Sequence, residues 1–405
     1  MIPKVLFLNP WDRFIGPNRY LFEMLRHAPE LAARAVVVFH KENGAKEDYK
    51  SLGCELVVCP DVEQVRARFE MGNLYRFIRH HTIGLKRIVK LIRNHKPDVV
   101  VSNTEQLLVG GIAAHLLRIS HIKIFHAMSF AYRLEKRPGL MRAYLCAFTI
   151  ESDKVVAVSE TLKKALVSGG LKETKVTTIP NPLSIQDLRA SAARGLPVDM
   201  EIRLSQHSPI IVNAGVIFPR KGQDQLIEAL PHICERFPKV LCVFAGRVGD
   251  STGVENTNGF YKLAQDRVQQ LKLNNNVLFL GDIDYVPSLL RRADVYVQTS
   301  RTESFGRVIA EALVCGTPVV SFDVGACGEV AGPGGILVRP GDTHALASEI
   351  AHLIEHPDRM KQLIDEGSKH IERFYEASCV AGKFSQFLTA EVSTACAKPS
   401  LVSPW

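Results

Sequence analysis

The sequence predicts an α/β protein built from two Rossmann-like, doubly wound parallel-sheet domains, and three observations predict it. Short runs rich in Val, Ile and Leu alternate with amphipathic segments of helix length, and strands apolar on both sides belong to parallel sheets covered by helices on each face. The alternation comes in two sets, interrupted by "PNPLSIQDLRASAARGLPVDMEIRLSQHSP", where Pro, Ser and charged residues take over. Finally, 405 residues are too many for one ordinary core and suit two domains of roughly 200 residues each, facing across a cleft.

In chain order the first set of strands is "KVLFLN", "RAVVVFH", "CELVVCP", "DVVVSN", "IKIFHA", "KVVAVS" and "KVTTIP"; the second is "IIVNAG", "VLCVFAG", "NVLFLG", "ADVYVQTS", "TPVVSFD" and "GGILVRP". Their length and β-branched content mark them as strands, and the helix-length segments between them make each connection a crossover. The hinge falls near residues 182–187, giving domains at 1–185 and 186–375. The final "KPSLVSPW" has no periodicity and reads as a loose tail.

Apolar residues make up 46% and charged residues 23%, a balance that excludes a disordered chain. No apolar run reaches about 18 residues, which argues against a membrane-spanning helix. The start, "MIPKVLFLNP", runs into a strand without the features of a signal peptide, so the expected location is the cytoplasm. Nine cysteines without C-x-x-C or metal-ligand spacing read as reduced thiols. The net charge of +8 is uneven: residues 1–185 hold 28 Lys+Arg against 17 Asp+Glu, hence +11, and the remainder 22 against 25, hence −3.

Open parallel sheets bind ligands beyond the carboxyl ends of their strands, so the loops there carry the candidate residues. After "IIVNAG" come Arg220, Lys221 and Gly222 at the start of an amphipathic helix. Two cations at a helix N-terminus oppose the macrodipole unless an anion lies between them, and a pyrophosphate would satisfy both; a solvated basic turn is the bland alternative. The stretch "TESFGRVIAEALVCG" places Glu303 before a helix and Glu311 within it, with Ser304 as the expected N-cap and Gly316 as the stop. A carboxylate beside the outward amides of Phe305 and Gly306 can orient sugar hydroxyls. An unpaired charge among Val, Ile and Leu is costly, so Glu311 has to reach a cleft or meet donors, and a ribose diol offers two. Taken singly, each glutamate fits a structural role equally well.

Three further loops are weaker. "LNPWDRFIGPNRY" offers a single glycine, Gly16, where a dinucleotide fold wants G-x-G-x-x-G, which disfavours an NAD-dependent enzyme. His126 closes the strand "IKIFHA", where a structural histidine is the commoner outcome. Asp282-Ile283-Asp284 imitates a metal-binding D-x-D, but its place after a strand of the second set suits a loop bordering a nucleobase, so no metal is expected. Residues 66–96 concentrate basic side chains beside an apolar stripe of Leu74, Phe77, Ile78, Leu85, Ile88, Val89 and Ile92. This is a covering helix with a solvated basic face, or a surface for anionic lipid or a pyrophosphate-bearing acceptor; without a nucleic-acid module, nucleic acid is not an expected partner.

In this order and spacing, "VVAVSETLKKALVSGG", "NAGVIFPRKGQDQLIEAL", "TESFGRVIAEALVCGTPVV" and "GGILVRPGD" together resemble the family-4 retaining glycosyltransferases of GT-B fold, whose signature is E-x7-E. The resemblance is strongest over residues 150–345. It implies that Arg220 and Lys221 neutralise a donor diphosphate near Gly16, that Glu311 binds ribose, and that Glu303 with Ser304, Phe305 and Gly306 holds the donor sugar. It also implies that His126 faces the sugar, that Ile283 and Arg247 border the base, and that a terminal helix, within 376–405, returns to the first domain. Two departures are Gly16-Pro17 and Asn181-Pro182, where many members carry Gly-Gly and Asn-Gly. The implied activity is metal-independent, retaining transfer of a hexose from a nucleotide diphosphate sugar, a UDP-sugar first of all. The acceptor would be a glycan hydroxyl, lipid-linked, in envelope or exopolysaccharide synthesis, with cleft closure in the cycle and peripheral membrane contact through the basic first domain. The alternatives are a non-catalytic nucleotide-sugar-binding protein and a nucleotide-sugar epimerase of the same two-lobed fold.

Overall fold

The computed structural model describes residues 1–10, 16–42, 45–60, 62, 74–127, 138–248 and 257–396. The basic residues at 66–73, the loop residues 11–15 and the tail 398–405 lie outside the described residues. The chain forms two units, one of residues 1–182 with 377–405 and one of 183–376.

The first unit is built on seven strands: β1 Val5–Asn9, β2 Ala35–Phe39, β3 Glu55–Val58, β4 Val99–Ser102, β5 Ser120–Phe125, β6 Lys154–Ala157 and β7 Val176–Thr178. They pair in parallel in the order β3-β2-β1-β4-β5-β6-β7. The second unit holds six: β8 Ile210–Ala214, β9 Leu241–Ala245, β10 Val277–Gly281, β11 Val295–Gln298, β12 Val319–Phe322 and β13 Gly335–Val338, in the order β10-β9-β8-β11-β12-β13. Every apolar run read from the sequence is therefore a strand. The inner strands are buried on both faces, as Val5–Asn9 and Ile210–Ala214 are throughout, which is why they lack the alternation of a half-exposed strand; the edge strands β3, β7, β10 and β13 are partly exposed.

Both sheets reverse direction once, between β1 and β4 and between β8 and β11. At such a switch point adjacent loops diverge to opposite faces and leave a crevice at the carboxyl ends. On one face of the first sheet, Leu6, Leu8, Val36, Val38 and Val100 pack with Ile88 and Ile92 of the Leu74–His95 helix and with Ala113 and Ala114 of the Leu108–Leu116 helix. The Ala377–Cys396 helix belongs to this unit, where Phe384 lies against Phe7 and Tyr20, each with ring centroids 6.4 Å apart. In the second unit the core lies under the Gln223–Arg236 and Thr343–Glu355 helices, with Phe244 stacked on Phe279. No described helix is long and apolar enough to cross a membrane.

Candidate functional site

At the switch point of the second sheet, the chain leaves β8 through Gly215 and turns once as a 3-10 helix, Pro219–Lys221. It then passes through Gly222 at φ +68° into the Gln223–Arg236 helix. A Cβ on Gly222 would stand 2.0 Å from the Thr299 carbonyl oxygen, so only glycine lets this turn lie against the end of β11. The Arg301 amide donates to the Arg220 carbonyl at 2.8 Å, which ties the two loops together.

That juxtaposition brings Lys221 to Glu303. The Lys221 Nζ donates to Glu303 Oε2 at 2.6 Å, and Arg220 Nη1 donates to the Thr302 carbonyl at 3.2 Å. Lys221 thus meets an anion in the protein's own carboxylate, and Arg220 lies close enough for its charge to act on the same group. Burial pushes the Glu303 carboxyl up, but the charges of Lys221 and Arg220, with hydrogen bonds from Lys221 and the Ser304 backbone, outweigh it and hold the group below its ordinary range.

Glu303 is oriented by residues that the sequence reading passed over. Tyr296, Gln298 and Ser300 alternate along and just beyond β11, so their side chains share one face. The Tyr296 hydroxyl donates to Gln298 Oε1; Gln298 Nε2 donates to Ser300 Oγ at 2.7 Å and to Glu303 Oε2 at 3.3 Å, and Ser300 Oγ lies 3.4 Å from the same oxygen. Tyr296, Gln298 and Ser300 at every second position of "ADVYVQTS" were the available signal. From the other side, Gly325 at φ +54° presses its backbone on Glu303, where a Cβ would stand 1.8 Å from the Glu303 carbonyl oxygen. That oxygen accepts from the Ala326 amide at 3.0 Å.

The helix bearing Glu311 corrects one expectation. It runs Arg307–Val314 and its N-cap is Gly306 at φ +86°, not Ser304. A left-handed residue reverses the chain more tightly than a serine cap would, and the Ser304 backbone amide hydrogen-bonds Glu303. Phe305 is buried edge-on against Tyr375, centroids 5.3 Å apart, so its side chain anchors the turn and leaves only its amide for a ligand. Glu311 is buried, and Arg307 Nε, one turn earlier, donates to it at 2.9 Å. The pair was legible as R-x3-E and was missed. Burial first, and then the charges of Glu303, Cys327 and Glu311, raise the Tyr296 phenol well above its ordinary value, so both glutamates act on one side chain.

The remaining candidates of this unit are more open. Asp282 and Asp284 are exposed, with Ile283 half-buried between them; with Tyr285 they line an open depression. Arg247 follows β9, and its carbonyl accepts from the Ile217 amide at 2.9 Å. Among the described residues no His, Cys, Asp and Glu cluster has the geometry of a metal site.

The first unit's switch point holds a different arrangement. His126 follows β5 and its Nε2 lies 2.8 Å from Asn103 Oδ1. Asn103 Nδ2 donates to Asn9 Oδ1 at 3.1 Å and to the Pro17 carbonyl at 3.0 Å; Asn9 Nδ2 donates to Asn18 Oδ1 at 2.9 Å, which also accepts from the Tyr49 hydroxyl at 2.7 Å. With the Asn103 amide nitrogen committed as donor, its oxygen has to accept, so His126 carries its proton on Nε2. Burial depresses the imidazole to about 3, and Tyr20 meets the ring edge-on at 5.0 Å. The asparagines ending "LFLN" and "VVVSN" were the sequence signal. Gly16 opens the Gly16–Arg26 helix, and a Cβ there would meet nothing within 4 Å among the described residues.

Comparison with known proteins supplies the family. Residues 15–187 match the model of glycosyltransferase family 4 and residues 199–370 that of glycosyl transferases group 1. The chain belongs to the family-4, group 1 glycosyltransferases. Among curated proteins, this glycosyltransferase is 32% identical over 190 residues to the phosphatidylinositol N-acetylglucosaminyltransferase gpi3 subunit of Schizosaccharomyces pombe, covering 46% of this chain and 38% of that one. It is 35% identical over 170 residues to the phosphatidyl-myo-inositol mannosyltransferase of Mycobacterium leprae, covering 41% and 42%. These alignments span well under two thirds of either relative. Among solved structures, Anabaena Alr3699/HepE in complex with UDP and glucose superposes with a TM-score of 0.78 at 22% identity, covering 96% of this chain and all of that one. At that identity the likeness concerns the fold, and the fold is GT-B.

Proposed function

We propose that this glycosyltransferase moves a hexose from a nucleotide diphosphate sugar, a UDP-sugar first of all, to a hydroxyl of a lipid-linked glycan acceptor with retention at the anomeric carbon. The observation that carries the reading is the Lys221–Glu303 contact of 2.6 Å, with Arg220 beside it, at a switch-point edge. A lysine that already neutralises a carboxylate, with an arginine beside it, can neutralise a diphosphate, and the carboxylate so released can accept hydrogen bonds from sugar hydroxyls.

In this reading Arg220 and Lys221 meet the diphosphate, Glu303 and the amides of Phe305 and Gly306 hold the sugar, and Glu311 meets the ribose once Arg307 yields. Ile283 and Arg247 border the base. The bond from the anomeric carbon to the diphosphate oxygen breaks, the acceptor oxygen bonds on the same face, and the departing phosphate oxygen takes the acceptor proton. Fixed positive charge is most effective as that negative charge develops, and the two side chains supply it without a metal. His126, neutral and with Nε2 engaged, serves the sugar as a hydrogen-bonding partner; a pKa of about 3 makes it a poor base. The lipid-linked acceptor draws support from the phosphatidylinositol-acting relatives and from the +11 charge of residues 1–185, which also suits peripheral contact with an anionic membrane.

The test is a thermal-shift panel of UDP-, GDP- and ADP-sugars, followed by acceptor-free hydrolysis of whichever stabilises the protein. A donor that binds only the folded state raises Tm by mass action. The reading expects one base to raise Tm and the sugar to be released slowly as the same anomer. A panel with no shift overturns it, and mass-neutral conversion of the donor replaces it with an epimerase.

A further inference from the structure

Three helices of the first unit lie side by side on one face of its sheet: Leu74–His95, Leu108–Leu116 and Pro138–Thr149. The first two share the core beneath them with Leu8 and Val100. Lys123, in register with Ser102, two residues beyond Val100, points to the same side and donates to the Phe148 carbonyl of the third at 2.6 Å. Right-handed crossovers from β3 to β4, β4 to β5 and β5 to β6 require the same placement.

The outer surface of this layer is unusual in two ways. These three helices contain not one Asp or Glu, against six Lys or Arg in the first and one in the third; the next helix of the layer, Glu160–Ser168, brings one acid, Glu160, against Lys163 and Lys164. Lys86, Arg87, Lys90 and Arg93 are exposed. The same layer is also where apolar side chains meet solvent: Ile83 on the first helix, Ile112 and Leu116 on the second, Leu140 on the third and Ile150 in the turn that ends it. Ile150 is 82% exposed and Leu116 61%. Leu140, Ala143, Ala147 and Ile150 are all exposed at helical spacing, a stripe turned outward. Scattered apolar residues need no explanation, but Met1 is the other large exposed one among the first unit's described residues.

We infer that this layer is a membrane-docking surface, its Leu140/Ile150 stripe with Leu116 and Ile112 entering the headgroup region of an anionic bilayer while Lys86, Arg87, Lys90 and Arg93 bind lipid phosphates. A protein partner of ordinary composition would need only the apolar part. A row of cations without acids, flanking aliphatic side chains, complements a surface that is negative outside and apolar just beneath. The inference deepens the membrane side of the proposed function and rests on none of its transfer chemistry.

The test uses the full chain in flotation with phosphatidylcholine vesicles, with and without about one third phosphatidylglycerol. Binding is expected to the anionic vesicles and at least about tenfold weaker to neutral ones, since each basic residue near such a surface contributes about fivefold. The double substitution Leu140→Ser/Ile150→Ser, which leaves the charge intact, should weaken binding about tenfold or more, and Lys86→Glu/Lys90→Glu should abolish it. Both variants should keep the wild-type Tm and its shift with nucleotide sugar, which reads the donor site independently. Absence of binding to anionic vesicles overturns the inference. So does binding indifferent to Leu140→Ser/Ile150→Ser, which would be adsorption by charge alone. A self-associated free protein that the same pair renders monomeric also overturns it, by naming a second copy as the occupant.

Discussion

The two sheets share the strand order 3-2-1-4-5-6 counted from the first strand of each, yet their switch-point edges are furnished in opposite ways. The first carries Asn9, Asn18, Asn103 and a neutral His126, a closed set of uncharged hydrogen bonds. The second carries Lys221 on Glu303, Arg307 on Glu311 and Arg301 on Asp224. A neutral buried network is satisfied as it stands and resists change. A cation paired with a carboxylate can exchange it for another anion, so the second edge is suited to capture a charged ligand and the first to present a fixed surface.

The comparison breaks most visibly at Glu303. Glu303→Ala should reduce transfer about a thousandfold, the scale for losing one preorganised charged group, while the nucleotide Kd measured by calorimetry stays within about threefold. Equal loss of both would move Glu303 from the sugar to the nucleotide. Lys221→Ala should weaken nucleotide diphosphate binding about 10- to 100-fold, since charge-assisted hydrogen bonds contribute about 1.5–3 kcal/mol. It should also lower Tm, because Glu303 is left buried without its cation. The folded Glu303 carboxyl lies below its unfolded value, near 4.3. The stability from this pair is therefore complete above that value and lost as pH falls through the folded pKa. The Tm difference between wild type and Lys221→Ala should be full at pH 7 and shrink below about pH 4.

The neutral edge should respond in the other manner. Asn103→Ala leaves His126 and Asn9 each short of a partner and should cost about 1–3 kcal/mol in denaturant unfolding, with no change in the salt dependence of nucleotide binding. A changed salt dependence would mean that charge is coupled to this edge after all. The smallest effect is expected at His126. Burial holds its folded pKa at about 3, while the unfolded imidazole titrates near 6.5. The unfolded state binds the extra proton between those values, so stability is lost as pH falls from 6.5. Melting curves from pH 7 to 5 should be flatter for His126→Gln than for wild type; equal slopes would remove the imidazole from the acid response.

Much of the fold was legible because parallel strands are apolar on both faces, and thirteen such runs stand out against their helices. The Arg220-Lys221 turn and the pair Glu303/Glu311 were legible because charge at the end of an apolar run is costly without a partner. Their partners were not. Lys221 and Glu303 are 82 residues apart, and only the neighbouring ends of β8 and β11 bring them within 2.6 Å. Ser304 was the expected cap by residue type, but the left-handed Gly306 is packed between Glu303 and Ile309, a constraint that appears only when the turn is folded.

By itself, the amino-acid sequence determined the two parallel sheets, the loops that bear charge, and the basic excess of the first 185 residues, because periodicity and composition are local properties. Tertiary structure alone decided which charge meets which, that Phe305 is an anchor, that four asparagine and histidine side chains close into one neutral network, and that three acid-free helices share a face. Those outcomes depend on strand order and register, and residues far apart in the chain become neighbours only when the sheets are assembled.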